Sequence, residues 1–186
     1  MNIFVLDLDP QKCAEYHCNK HLVKMITEHN QILGSIAYTA RGVNRKKEIT
    51  PEFIRKNFQG FSRKDENGDP KPYGIGYANH PCTKWAAQSY DNYMWLCHLN
   101  TLMCQEYTHR YGRIHAGEII TKWYTDNVPE LPKVGMTPFA QAMPDSCKNS
   151  DPVKAYRNYY INYKAQFAKW PADRVPEWWP HPTQNE

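Results

Sequence analysis

Two histidines, two lysines and a glutamate converge on one side of the first predicted helix: His17, His21, Lys24 and Glu28, continued by Gln31, with Lys20 beside them. They run one residue ahead of an apolar stripe of Cys18, Leu22, Met25, His29, Ile32 and Ile36, which places them about 100° around the helix from it. These side chains can transfer protons, hold phosphate or ligate metal. A solvated face would intersperse Glu and Lys, so a strip of this kind at the rim of a core marks the wall of a cleft.

Three further clusters carry chemistry. His80 and Lys84 stand at the start of a long helix, where unpaired backbone N–H groups and the helix dipole favour an anion such as phosphate. At its far end Glu106, His109, Arg110 and Arg113 gather, with His115 following; Glu106 and His109 share a face and can orient each other or share a metal. In the last helix Lys154, Arg157, Ile161 and Lys164, with Tyr159 adjacent, flank an aromatic stripe of Tyr156, Tyr160, Tyr163, Phe167 and Trp170. Cys13, His17, Cys18 and His21 fall within three turns of one helix, where only an i, i+4 pair readily shares an ion. A closed structural zinc site there needs ligands from elsewhere.

The elements that must position these groups follow from period and punctuation. Residues 2–8 read as a short strand or extended arm. Asp9-Pro10 then signals an N-cap with proline at the first helical position, opening a helix from 9 to about 36. Thr50-Pro51 repeats that signal for a short helix ending before Gly60, and residues 62–76 form an aperiodic loop rich in turn formers. His80-Pro81 opens the longest helix, about 82–111, closed by Gly112. A helix over 116–126, a proline-marked segment through Pro144, and a last helix from Asp151-Pro152 to about 169 complete the chain, with a Pro- and Trp-rich tail over about 171–186. The fold class is mainly α, a single compact helical domain over residues 1–186 with a basic insertion and loop at about 41–76.

Length and composition agree with one core: 186 residues, 41% apolar, 13% aromatic with 13 Tyr and 6 Trp. Six cysteines without a C-x-x-C pair read as reduced thiols, and Cys97 and Cys104, seven apart, share the buried side of the long helix. No apolar run reaches the ~18 residues of a membrane span and no signal peptide is evident, so a soluble, cytoplasmic protein of phage or bacterial type without membrane partners is expected. The net charge of +4 is uneven. Residues 41–64 hold eight basic and two acidic side chains, a local +6 against −2 elsewhere, the footprint of a polyanion. Phe53, Phe58 and Phe61 interleave with those charges, as base or sugar contacts beside phosphates would require.

In order and character these elements resemble the phage-type pyrimidine-dimer DNA glycosylase family and its bacterial relatives. The resemblance rests on the N-terminal arm leading into Ala14-Glu15-Tyr16-His17-Cys18-Asn19-Lys20-His21-Leu22-Val23-Lys24, on His80-Pro81-Cys82-Thr83-Lys84-Trp85 through Cys104-Gln105-Glu106-Tyr107-Thr108-His109-Arg110-Tyr111-Gly112, and on Ala155-Tyr156-Arg157-Asn158-Tyr159-Tyr160, about half of the chain. It implies a compact helical fold that bends the duplex and expels a base. It also implies an α-amine that attacks C1′ to give an imine and then strand cleavage, a Glu on the first helix that assists, and basic residues that hold phosphates. Asn2 disfavours removal of the initiator methionine, so the implied nucleophile is the amine of Met1. Alignment on Ala14-Glu15-Tyr16 puts Cys18 where the catalytic Glu belongs, leaving Glu28 or Glu15 as the nearest carboxylate.

The sequence therefore supports a cofactor-independent DNA glycosylase or lyase acting on double-stranded DNA, with Met1, His17, His21, Lys24 and Glu28 at the site and Lys20, His80, Lys84, Arg110, Arg113 and Arg157 as substrate and phosphate ligands. The alternatives are a hydrolase of nucleotides or nucleic acid using a divalent metal on His17, His21, Glu106 and His109, and a non-enzymatic DNA- or protein-binding module using the 41–64 patch.

Overall fold

The computed structural model describes residues 1–180; positions 181–186 of the Pro- and Trp-rich tail lie outside the described residues. Its α-helices are α1 (Pro10–Tyr16), α2 (Asn19–Thr39), α3 (Pro51–Asn57), α4 (Pro81–Gln88), α5 (Tyr90–Tyr111), α6 (Glu118–Asp126) and α7 (Pro152–Lys164), and no strand occurs among the described residues. Proline at the first turn, preceded by Asp9, Thr50, His80 or Asp151 as the capping acceptor, starts α1, α3, α4 and α7. Gly112, at φ 62, closes α5 in the left-handed conformation and donates its N–H to Thr108 O. The hub is α5, against which α1, α2, α4 and α6 all pack. Buried residues run along it from Asn92 and Tyr93 to Glu106 and Tyr107, leaving a narrow exposed stripe of Asp91, His98, Gln105 and His109.

Two helices expected to be continuous are broken. The first turns extended at His17 (ψ 125) and Cys18 (ψ 157), separating α1 from α2. Its freed carbonyls are satisfied by distant donors. Arg110 Nη2 donates to Glu15 O (2.7 Å) and Nη1 to His17 O (2.9 Å), while Trp170 Nε1 donates to Tyr16 O (2.9 Å). The second break falls at Ser89, whose hydroxyl caps α5 by accepting from Asn92 N, while Tyr90 N–H donates to Pro132 O. The last helix ends at Lys164, short of the expected 169, and α6 begins at Glu118 with Gly117 as its cap.

The N-terminal segment is an extended arm, not a strand, and Asn2, Ile3, Phe4, Val5 and Leu6 are buried. Asn2 is held on every side: its Nδ2 donates to Ala142 O (2.7 Å), and its Oδ1 accepts from Tyr156 OH (2.9 Å). Arg157, expected to meet phosphate, grips the arm by donating to Leu6 O and pairing with Asp7 at 3.0 Å. The aromatic residues of the basic segment are also inward. Phe58 and Phe61 are fully buried and pack on Trp123, and Phe53 stacks on Tyr38, so this trio anchors the segment instead of offering rings to bases. All six cysteines are free and buried.

One close approach explains a glycine. A Cβ at Gly117 would stand 2.7 Å from Ile26 Cγ2 and 2.9 Å from His115 Nδ1. Gly117→Ala is expected to destabilise the protein by about 1–3 kcal/mol, read as a lowered urea midpoint with an unchanged slope.

Three histidines of the core are held neutral. Burial lowers the pKa of His17 and His21 to about 3 and of His29 to about 4. His17 donates through Nδ1 to Cys13 O (2.7 Å) and His29 through Nδ1 to Asn100 Oδ1 (3.0 Å). The Nε2 atoms of both are buried without a hydrogen-bond partner among the described residues. An unfolded chain binds protons at these positions near pH 6.5, whereas the folded chain does not. Stability is therefore fully present above about pH 6.5 and falls as pH drops toward 3–4, by up to about 1.4 kcal/mol per pH unit for each histidine. Urea midpoints measured from pH 7 to pH 4 should decline steeply; a flat profile would count against the buried neutral histidines.

Candidate active site

The buried arm delivers the α-amine of Met1 to the side of α2, 3.5 Å from Glu28 Oε2. Glu28 is itself bracketed: Lys24, one turn earlier, places Nζ 3.0 Å from Oε1. The Glu28 side chain is 13% exposed and that of Lys24 61%, so the carboxylate is set back beneath a solvent-facing ammonium. A cleft of about 150 Å³ opens over the pair, lined by Met1, Asn2, Phe4, His21, Lys24, Met25, Glu28, Ala142, Tyr159 and Lys164. Four elements build it: the arm, α2, the segment around Ala142 and α7.

Two aromatic contacts fix the cleft wall. Phe4 takes a positive φ of 53, a conformation that non-glycine residues rarely adopt. That turn of the backbone sends its ring between His21 (4.4 Å between centroids, 24°) and Tyr159 (5.9 Å, 18°). His21 Nδ1 shares a hydrogen bond of 2.5 Å with Tyr160 OH. Burial, followed by the positive charges of Lys164, Lys24 and Lys20, keeps the His21 ring neutral, and burial pushes the Tyr160 hydroxyl well above its ordinary range. His21 is thus a neutral, fixed wall and not a proton carrier at neutral pH. His80 adjoins the amine just outside the cleft lining. It caps α4 through Nδ1 (3.2 Å from Cys82 N), and its pKa is lowered by burial first and then by the Met1 ammonium, with Glu28 opposing.

Of the residues singled out in the sequence, Met1, His21, Lys24 and Glu28 line one cleft, with His80 adjoining. His17 lies in the core behind it. Lys20 is exposed, its Nζ 4.7 Å above the Phe167 ring, and Lys84 is exposed on α4. Arg113 is exposed beside Tyr107. Arg110 is interior: its side chain is 1% exposed, and Nε donates to Glu106 Oε1 at 2.6 Å while its other nitrogens hold the α1–α2 junction. A phosphate ligand needs free, exposed donors, and Arg110 has neither.

The alternative metal set does not assemble. Glu106 Oε1 accepts from both Arg110 and Arg174, His21 is engaged with Tyr160, and His109 is exposed on α5. Among the described residues no group of three or more His, Cys, Asp or Glu is placed to hold a metal ion. The contributions of Phe4, Asn2 and Ala142 went unread because their roles depend on backbone path and on partners some 140 residues away. Tyr159 and Lys164 had a signal, the polar strip beside the aromatic stripe of the last helix.

An amine against a carboxylate, open to solvent and rimmed by Lys24 and Lys164, can attack an electrophilic carbon, balance the resulting cation and hold an anionic substrate. A family model described as pyrimidine dimer DNA glycosylase matches residues 1–117, a span that includes Met1, His21, Lys24, Glu28 and His80. No curated protein and no solved structure matches the chain. The matched span is well over half of the sequence and holds both members of the amine–carboxylate pair, and the chain belongs to the pyrimidine dimer DNA glycosylase family.

Proposed function

We propose that the protein excises damaged pyrimidines from double-stranded DNA and cleaves the strand at the resulting site, with the α-amine of Met1 as nucleophile. The observation that carries this reading is the 3.5 Å approach of that amine to Glu28 in an open cleft. The nitrogen lone pair bonds to C1′ while the C1′–N bond to the base breaks, its electrons leaving with the base. Loss of a proton from nitrogen and opening of the sugar ring give the imine, and removal of a C2′ proton then lets the 3′ phosphate depart. Glu28 balances the cationic centre during attack, taking the part that alignment alone had left between Glu28 and Glu15. Lys24 and Lys164 hold the flanking phosphates, with Lys20 and Lys84 further out. Extruding a base costs a few kcal/mol; the Tyr159 ring, already against Phe4 and under Lys164 Nζ (4.4 Å), can stack a base only once Lys164 has swung to a phosphate.

Borohydride trapping on ultraviolet-irradiated duplex DNA, beside an undamaged control, tests the imine. A covalent complex specific to damaged DNA and mapped by mass spectrometry to the peptide containing Met1 is expected. Glu28→Gln should lower single-turnover excision by about 10²–10³-fold while DNA binding is retained. Folded protein that binds irradiated DNA without ever yielding a trapped complex would overturn the proposal.

A further inference from the structure

The basic segment at 41–64 remains outside the cleft. Arg45, Lys46, Lys47, Lys56 and Lys64 are all exposed, and none has a carboxylate partner among the described residues. Of the nearby acids, Glu52 and Glu66 stand exposed without an ion pair among the described residues, and the other three are occupied. Glu48 Oε2 accepts from the backbone N–H groups of Asn44 and Arg45, Asp69 pairs with Arg55 at 2.7 Å, and Asp65 Oδ1 accepts from the N–H groups of Asn67 and Asp69.

The segment is also fixed in place. Phe58 and Phe61 are fully buried against Trp123, whose Nε1 donates to Gln59 O (2.9 Å), and Phe53 stacks on Tyr38 near the C-terminal end of α2. A solvated basic loop has no need of three aromatic anchors. Tyr38 stands ten residues after Glu28 on the same helix, a rise of about 15 Å. The connection back to the cleft runs along α2: Arg63 lies over Tyr73 (4.7 Å), Tyr77 N–H reaches Ser35 Oγ, and His80 sits by the amine.

We propose that residues 45–64 form a second DNA-contact platform, holding backbone phosphates on one flank of the attacked nucleotide, about four to five base pairs from it at ~3.4 Å per step. The footprint on DNA is then asymmetric, longer on the side that lies toward the C-terminal end of α2. This rests on the glycosylase reading of the cleft.

The test is equilibrium binding to a duplex carrying a tetrahydrofuran abasic analogue, measured against salt concentration and repeated with the duplex trimmed to about three base pairs on one side or the other. The wild-type protein should lose affinity for only one of the trimmed duplexes. Lys46→Ala/Lys47→Ala and, separately, Lys56→Ala/Lys64→Ala should each make the slope of log K against log salt shallower by about one to two, and should reduce the discrimination between trimmed duplexes. None of these side chains touches the cleft, so single-turnover excision at saturating protein should stay at the wild-type rate. Wild-type slopes and discrimination in both variants would overturn the platform and leave the cleft proposal standing. Failure of the wild-type protein to bind the analogue at all would remove both.

Discussion

The site depends on one buried ion pair. Arg110 and Glu106, a turn apart on α5 with side chains 1% and 3% exposed, stand 2.6 Å apart, and Arg174 adds a second guanidinium at 3.0 Å. Taking such charges out of water costs several kcal/mol per ion unless every donor and lone pair is used. Here the remaining Arg110 donors are spent on Glu15 O, His17 O and Asn19 Oδ1, the groups left open where α1 stops and α2 begins. Without those bonds the carbonyls of the break would be unsatisfied and a continuous helix would be favoured. With them, α1 turns aside against α5, and Cys13 on it meets the arm through Phe4 O and Leu6 N.

From that junction the placement of the amine follows by contact. The arm is buried and bonded along its length, by Asn2 to Ala142 and Tyr156 and by Leu6 and Asp7 to Arg157. Little conformational freedom remains at Met1. Glu28 is set by the α2 backbone and by Lys24, so the amine and the carboxylate approach each other from separately fixed elements. Pre-positioning of this kind lowers the entropic cost of holding the two groups together. The neutral His21 ring and the Phe4 ring give the cleft a dry side, and Lys24, Lys164 and Glu28 give it a charged one.

Much of this could be read in the chain before any coordinates. The apolar stripe from Cys18 to Ile36 is buried throughout, and the strip beside it does reach a cleft through His21, Lys24 and Glu28. These features follow from helical period alone, which is local information. The breaks at His17–Cys18 and Ser89 were not legible, because each is held by a donor or acceptor about forty to ninety residues away: Arg110 for one, Pro132 for the other. The basic side chains were the other blind spot. Nothing in composition separates Arg110 and Arg157, which are structural, from Lys24 and Lys164, which line the cleft. The difference lies in which backbone carbonyls and carboxylates happen to surround each head group. The phenylalanines of the basic segment show the same limit, since an aromatic residue among charges reads equally as a ligand platform or as an anchor.

The grip on Asn2 ties residue 2 to residues 142 and 156, and Arg157 ties the same arm at Leu6. During synthesis those partners leave the ribosome more than a hundred residues after the arm does, so the nascent terminus stays unclasped while α2, α4 and α5 are made. The amine acquires its fixed place beside Glu28 only when α7 docks. Long-range closures of this type are slow and come late in folding. A chain interrupted before α7 carries the whole family-matched span yet lacks Tyr156 and Arg157, which clasp the arm, and Tyr159 and Lys164, which form one wall of the cleft.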